Sequence, residues 1–126
     1  MQRLAHTSAD CGRTWSRPFL VDISGVHCHG TLARVGRRLL FAIPNGLDLS
    51  KAERQMGSER QRGAVYFSDD EGCTWCHKVV EAEIFSYSTV GFLKGSQYIT
   101  FFARNSMGQD GVGCRVFEDG WLSAQS

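Results

Sequence analysis

Residues 60–75, RQRGAVYFSDDEGCTW, run a strand straight into a turn. Five positions of that turn, Ser68, Asp70, Gly72, Thr74 and Trp75, spell Ser-x-Asp-x-Gly-x-Thr-Trp. The same five residue types recur at Ser8, Asp10, Gly12, Thr14 and Trp15, a period of 60 residues. A fixed period of this size marks a repeated supersecondary unit. Each member has a physical role. Gly admits φ > 0 in a tight turn. Ser and Asp side chains bond nearby backbone amides and replace the ladder bonds lost where strands reverse. Trp offers a large ring to pack beneath the turn and bury. The motif reads as a structural hairpin clasp, so Asp10 and Asp70 are not assigned catalytic work.

Outward from the clasps, short strand-like segments follow one another at regular spacing. Residues 3–7 feed the first clasp and residues 19–23 leave it. Residues 31–35 and 38–43 flank a turn at Gly36. Residues 44–60 open with Pro-Asn-Gly and turn polar, which reads as a long loop with a possible helical turn over 49–55. Residues 63–67 and 78–82 flank the second clasp. Residues 89–93 and 98–102 surround Lys94-Gly-Ser. Residues 112–117 and 121–123 surround Glu118-Asp-Gly, which looks like a degenerate third clasp. Short strands with turn signals between them indicate an all-β fold. Four strands per 60-residue repeat match one blade of a β-propeller. The expected division is the outer half of a blade over 1–26, a complete blade over 27–83 and most of a further blade over 84–126.

Composition narrows the partners. In 126 residues there are 14 Lys and Arg against 13 Asp and Glu, a formal net charge of +1. That balance gives no reason to expect nucleic acid or an acidic membrane surface. No apolar run approaches the ~20 residues of a membrane span. The first residues, MQRLAH, lack the apolar core of a signal peptide. Five cysteines are an odd number for a disulfide framework. These features favour a reducing, cytoplasmic setting. Cys73-x-x-Cys76-His77 and His27-Cys-His29 carry zinc-ligating types, but the clasp turn and the entry to residue 31 belong to opposite ends of a blade. No metal and no cofactor is therefore expected.

Antiparallel topology also decides which loops share an end. The loop before residue 63 and the connection into residue 89 emerge at one end of the strands, and the clasps at the other. Arg60, Tyr87 and the His27–His29 stretch are thus expected around one mouth, with Asp10 and Asp70 on the opposite face.

The clasp is similar to the Asp-box of the sialidase (neuraminidase) superfamily, whose catalytic domain is a six-bladed propeller. SYSTVGFL at 86–93 resembles the stretch that carries the sialidase nucleophile. CHGTL at 28–32, LLFAIP at 39–44 and Arg60-x-x-Gly-x-Val65 resemble segments that precede it there, in the same order. The resemblance covers the chain as the later part of such a domain, about two to three blades. It implies that Tyr87 stands where the nucleophile stands and that Arg60 belongs to the arginine cluster that grips the substrate carboxylate. Arg62 is a close competitor for that place. The implied activity is retaining hydrolysis of terminal sialic acid from glycoproteins, glycolipids or oligosaccharides. A guanidinium fork suits a carboxylate, and a neutral phenol avoids repelling it, which sets sialidases apart from the two-carboxylate glycosidases.

The family's first arginine, its acid/base Asp, the Glu that activates Tyr and the Arg that follows it are expected upstream of Met1. Where the family has Tyr-Glu after the nucleophile's strand, this chain has Phe102-Ala103. Glu81 and Glu83 do not match the activating base and read as loop carboxylates. The chain alone is therefore expected to be inactive, and to need the missing blades or self-association to cover surfaces carrying Leu39, Phe41, Tyr98 or Phe102. The rival reading is a non-catalytic Asp-box propeller that binds glycans or scaffolds an assembly, since fold does not fix function.

Overall fold

The structure, a computed structural model, describes residues 2–46, 59–104 and 111–124. In chain order the elements are β1 (Gln2–Ala5), β2 (Phe19–Ser24), β3 (Thr31–Val35), β4 (Arg38–Pro44), β5 (Gln61–Ser68), β6 (Cys76–Ile84), β7 (Ser88–Lys94), β8 (Gln97–Ala103), β9 (Val112–Glu118) and a short helix α1 (Asp119–Ser123). Every strand pairs with its sequence neighbour in antiparallel fashion, in sheets ordered β1-β2, β3-β4-β5-β6 and β7-β8-β9. None of the three sheets closes on itself, and the chain is all-β. The helical turn expected over 49–55 lies outside the described residues.

The four-stranded sheet is covered on both faces, which is why its central strands are apolar at nearly every position. Ile43, Ala64 and Tyr66, with Phe41 and Trp75, pack against Val21 and Ile23 of the two-stranded sheet. The alternate residues Leu40, Ala42 and Val65, with Phe67, pack against Val90, Tyr98, Phe102 and Phe117 of the three-stranded sheet. The period-2 alternation of a strand sends 40, 42 and 65 one way and 41, 43, 64 and 66 the other. The register, Leu40 opposite Phe67 and Ile43 opposite Ala64, keeps both sets aligned.

Three expectations are corrected here. Glu118-Asp-Gly is not a third clasp, and 121–123 is not a strand. The segment folds into α1, because Asp119 accepts from Tyr98 Oη at 2.5 Å and from Arg38 Nη1 at 2.8 Å, while Leu122 is buried. That carboxylate is committed to the sheet beside it, and no Thr follows at clasp spacing. Secondly, Tyr98 and Phe102 lie in the core and Phe41 packs inward. Exposed apolar side chains instead include Leu4 and Leu20 at one end of the stack and Phe101, Val112 and Val116 at the other, with Leu32, Phe92 and Leu93 besides. Alternation decides this: 98 and 102 point inward, so 101 points out. Thirdly, Trp15 is 61% exposed and buries little, whereas Trp75 packs on the core.

Candidate functional site

The two clasps superimpose bond for bond. Ser8 Oγ donates to Asp10 Oδ1 at 2.8 Å, and Ser68 Oγ to Asp70 Oδ1 at 2.8 Å. The amides of Gly12 and Gly72 donate to these serine oxygens at 2.8 Å. Thr14 and Thr74 each give the Asp two bonds, one from the amide at 2.8 Å and one from the hydroxyl at 2.6 Å. Trp15 and Trp75 donate from Nε1 to the glycine carbonyls at 3.1 Å. These donors, the Thr hydroxyls first, hold both aspartates down at about 2. A carboxylate fixed in the ionised form by three donors is a poor proton carrier. The backbone needs left-handed conformations at two consecutive residues, Cys11 and Gly12 or Glu71 and Gly72, where the sequence pointed to glycine alone.

At the other end of β5 the chemistry differs. Arg62 has φ 56°, and the β5–β6 register slips between Gln61 and Gly63. Such a bulge re-aims side chains. Regular alternation would put Arg60 and Arg62 on one face, but the bulge separates them. The charge of Arg62 acts on Tyr66 and His77, which are stacked 4.6 Å apart. Arg60 turns the other way, with its guanidinium carbon 5.0 Å from the Tyr87 ring centre. It donates from Nη2 to the His27 carbonyl at 3.1 Å and from Nη1 to Ser86 Oγ at 3.4 Å. The Tyr87 side chain, followed by the Cys28 thiol, raises the Arg60 pKa above its ordinary value. The guanidinium is a fixed cation at every working pH.

Tyr87 is held by its backbone. The Phe85 amide donates to the Arg60 carbonyl at 2.9 Å, Ser86 to Ala103 at 3.0 Å, and Ala103 to Tyr87 at 2.8 Å. The Thr31 hydroxyl donates to the Ser88 carbonyl and ties the residue after Tyr87 to the adjoining sheet. Phe85 is wholly buried and stacks on Phe102. The phenol itself is 52% exposed, with His29 edge-on at 6.3 Å. Arg60, Tyr87 and the 27–29 segment thus meet at one end of the strands. The clasps sit at the far end, an eight-residue strand away, which at about 3.3 Å per residue is over 20 Å.

Sequence reasoning missed Arg3. Its Nη2 donates to the Val26 carbonyl at 3.1 Å and the Cys28 carbonyl at 2.9 Å. Two guanidiniums, Arg3 in β1 and Arg60 just before β5, therefore grip the three-residue segment 26–28. Burial lowers the Arg3 pKa from its ordinary value. An arginine alone at the start of a short strand carries no sequence signal for this role. Glu81 is also corrected. It lies within β6, only 7% exposed, and pairs with Arg115 at 2.6 Å, and Glu83 lies in the same strand, which runs on to Ile84 rather than ending at residue 82.

No protein-family model matches this chain, and no curated protein matches it.

Proposed function

We propose that this chain is part of a sialidase-like site that binds terminal sialosides, with Tyr87 as nucleophile and Arg60 as a ligand of the substrate carboxylate. The observation that carries the reading is the approach of the Arg60 guanidinium to Tyr87, with Arg62 turned to the opposite face. Sialic acid bears its carboxylate on the carbon that is attacked. A nucleophile and a carboxylate ligand must therefore stand side by side, and both must avoid negative charge. A phenol beside a guanidinium meets both conditions. Tyr87 Oη would form a bond to the anomeric carbon as the glycosidic C–O bond breaks. A base must take the phenol proton, and an acid must supply one to the departing oxygen.

The architecture we propose is a β-propeller in which each sheet is one blade, the four-stranded sheet being complete. Three sheets stacked face to face by alternate residues support this, as does the 60-residue recurrence of the clasp. Ala103 favours one second reading, a glycan-binding module without turnover. Its backbone braces Ser86 and Tyr87, but its methyl offers no carboxylate there.

Binding of methyl α-sialoside, followed by NMR titration, tests the assignment. Arg60→Ala is expected to abolish it and Arg60→Lys to weaken it strongly, because the lysine loses the fork. Arg62→Ala should leave it intact. A larger loss from Arg62→Ala overturns the role of Arg60.

A further inference from the structure

β9 ends the three-stranded sheet, and among the described residues no strand pairs with its far edge. It pairs with β8 from Gln97↔Glu118 to Ala103↔Val112 without a register shift. Bonds at both ends fix which backbone groups that ladder uses. The Arg104 amide donates to the Gly111 carbonyl at 2.9 Å, and the Asp119 amide to the Ser96 carbonyl at 2.8 Å. Ladder bonds of an antiparallel pair fall on every second residue, so Gly113, Arg115 and Phe117 turn their amides and carbonyls to β8. Those of Val112, Cys114, Val116 and Glu118 point to the open edge. Edges of natural sheets are blunted by proline, bulges or charge. β9 has no proline and no bulge. Its two charges are engaged elsewhere: Arg115 pairs with Glu81 of β6, and Glu118 accepts from Ser96 and Gln97. Val112, Cys114 and Val116 are exposed.

We propose that β9 pairs antiparallel with β9 of a second copy of this chain, about a two-fold axis through Cys114, so that two sheets run on as one. The edge residues carry the argument, because Val112-x-Cys114-x-Val116 reads the same in both directions. A two-fold axis perpendicular to the sheet puts Cys114 opposite its own copy, Val112 opposite Val116, and Gly113 opposite Arg115. Each edge amide and carbonyl of 112, 114 and 116 then meets one of 116, 114 and 112. Neighbouring registers fit less well. An axis through Arg115 sets two guanidiniums against each other, and like charges directly opposite are destabilising. An axis through Val116 sets Cys114 against the Glu118 carboxylate. The Cys114 register also leaves Glu118 and α1 beyond the paired stretch. A two-fold contact is self-complementary and ends at the dimer. Contact between the apolar outer faces, Leu4 and Leu20 on one copy and Phe101 on the next, is head to tail and open-ended, so the edge is a separate surface.

Sedimentation of the 126-residue chain should show a species of twice the 14.0 kDa chain mass. Diamide, which takes two electrons and two protons from a pair of thiols, should join Cys114 to Cys114 of the other copy. Opposed hydrogen-bonded residues lie about 5.5 Å apart at Cα, within the span of a disulfide. Peptide mapping picks that bridge out among the five cysteines. Cys114→Lys and Cys114→Glu each set like charges on the axis and should raise the dissociation constant roughly tenfold. A one-to-one mixture of the two variants should dimerise again, because a residue on the axis meets only itself. Val116→Pro removes an amide that points to the open edge and spares the β8 ladder. It should weaken the dimer as well, and it serves if the Cys114 variants fold poorly. A monomeric parent would overturn the proposal. So would oligomers that survive Val116→Pro and carry no Cys114 bridge, since association then runs through the apolar faces. Charge variants that dissociate and do not recover on mixing would take Cys114 off the axis and overturn it too.

Discussion

Gly63→Ala is a severe test of how Tyr87 is held. A methyl at that position would sit 2.1 Å from Phe85 Cδ2 and 2.2 Å from Cγ, far inside van der Waals contact. Phe85 has no room to retreat. It is wholly buried, and its ring stacks on Phe102 at 4.7 Å between centres. Phe102 in turn lies against Gly113, where an added methyl would come within 2.3 Å of its ring. Two glycines close the ends of a two-ring column. Overpacking a tight core costs about 1–3 kcal/mol, and a column closed at both ends puts Gly63→Ala near ~3 kcal/mol. Urea denaturation followed by circular dichroism measures it, with an unchanged slope required for the comparison. Gly91→Ala is the control, since nothing lies within 4 Å of its added methyl. It should stay within about 0.5 kcal/mol of the parent, as a surface change does. Adding Phe85→Leu to Gly63→Ala should recover stability, with a coupling of about 1 kcal/mol or more. The reasoning fails if Gly63→Ala is as mild as Gly91→Ala, or if the leucine brings no relief. Because the Phe85 amide is bonded to the Arg60 carbonyl, a displaced ring should also shift Tyr87 relative to Arg60.

Asp70→Asn should flatten the acid limb of the stability curve. The folded carboxylate lies at about 2, below its ordinary value, so its contribution is present above about pH 4 and is lost as pH falls through 2. A denaturation series from pH 5 to pH 2 that leaves parent and variant parallel would contradict this, and Asp10→Asn should behave alike. Tyr98 is pushed up to about 12, by burial first and then by its bond to Asp119. A raised tyrosine stabilises the fold at lower pH, and that contribution is lost between about pH 10 and 12. Ultraviolet titration of Tyr98→Phe should lack the last phenol step. Arg38→Ala removes bonds to Asp69, Asp119 and Ser123 and should cost about 1–3 kcal/mol, discounted for partial exposure. Thermal melts that do not move would show the network to be idle. The chain alone should show no turnover of a fluorogenic sialoside and should self-associate through Leu4, Leu20, Phe101, Val112 and Val116. A monodisperse, active monomer by light scattering would refute both halves.

The strands were legible because their periodicity is local. Residues 31–35 are found as β3 with the expected bounds, and the other strands differ by a residue or two at their ends. The clasp was legible because all its bonds lie within one octapeptide. What escaped depends on distant partners. Asp119 belongs to a helix because Arg38 and Tyr98, far off in sequence, take its carboxylate. Arg60 and Arg62 looked interchangeable until a bulge with positive φ at Arg62 divided them. Arg3 has partners 23 and 25 residues away. The orientation of 98, 101 and 102 required knowing which face of β8 meets the neighbouring sheet.

The spacing of these bonds along the chain also sets an order in time. Clasp bonds join residues two to four apart. Bonds around Tyr87 join residues 26, 33 and 57 apart. Closing a loop of 57 residues rather than 4 costs roughly 2 kcal/mol more chain entropy, and short loops close within tens of nanoseconds. During refolding the turns exist long before the mouth does. A chain halted midway has its clasps tied and its arginine and its tyrosine still strangers to one another.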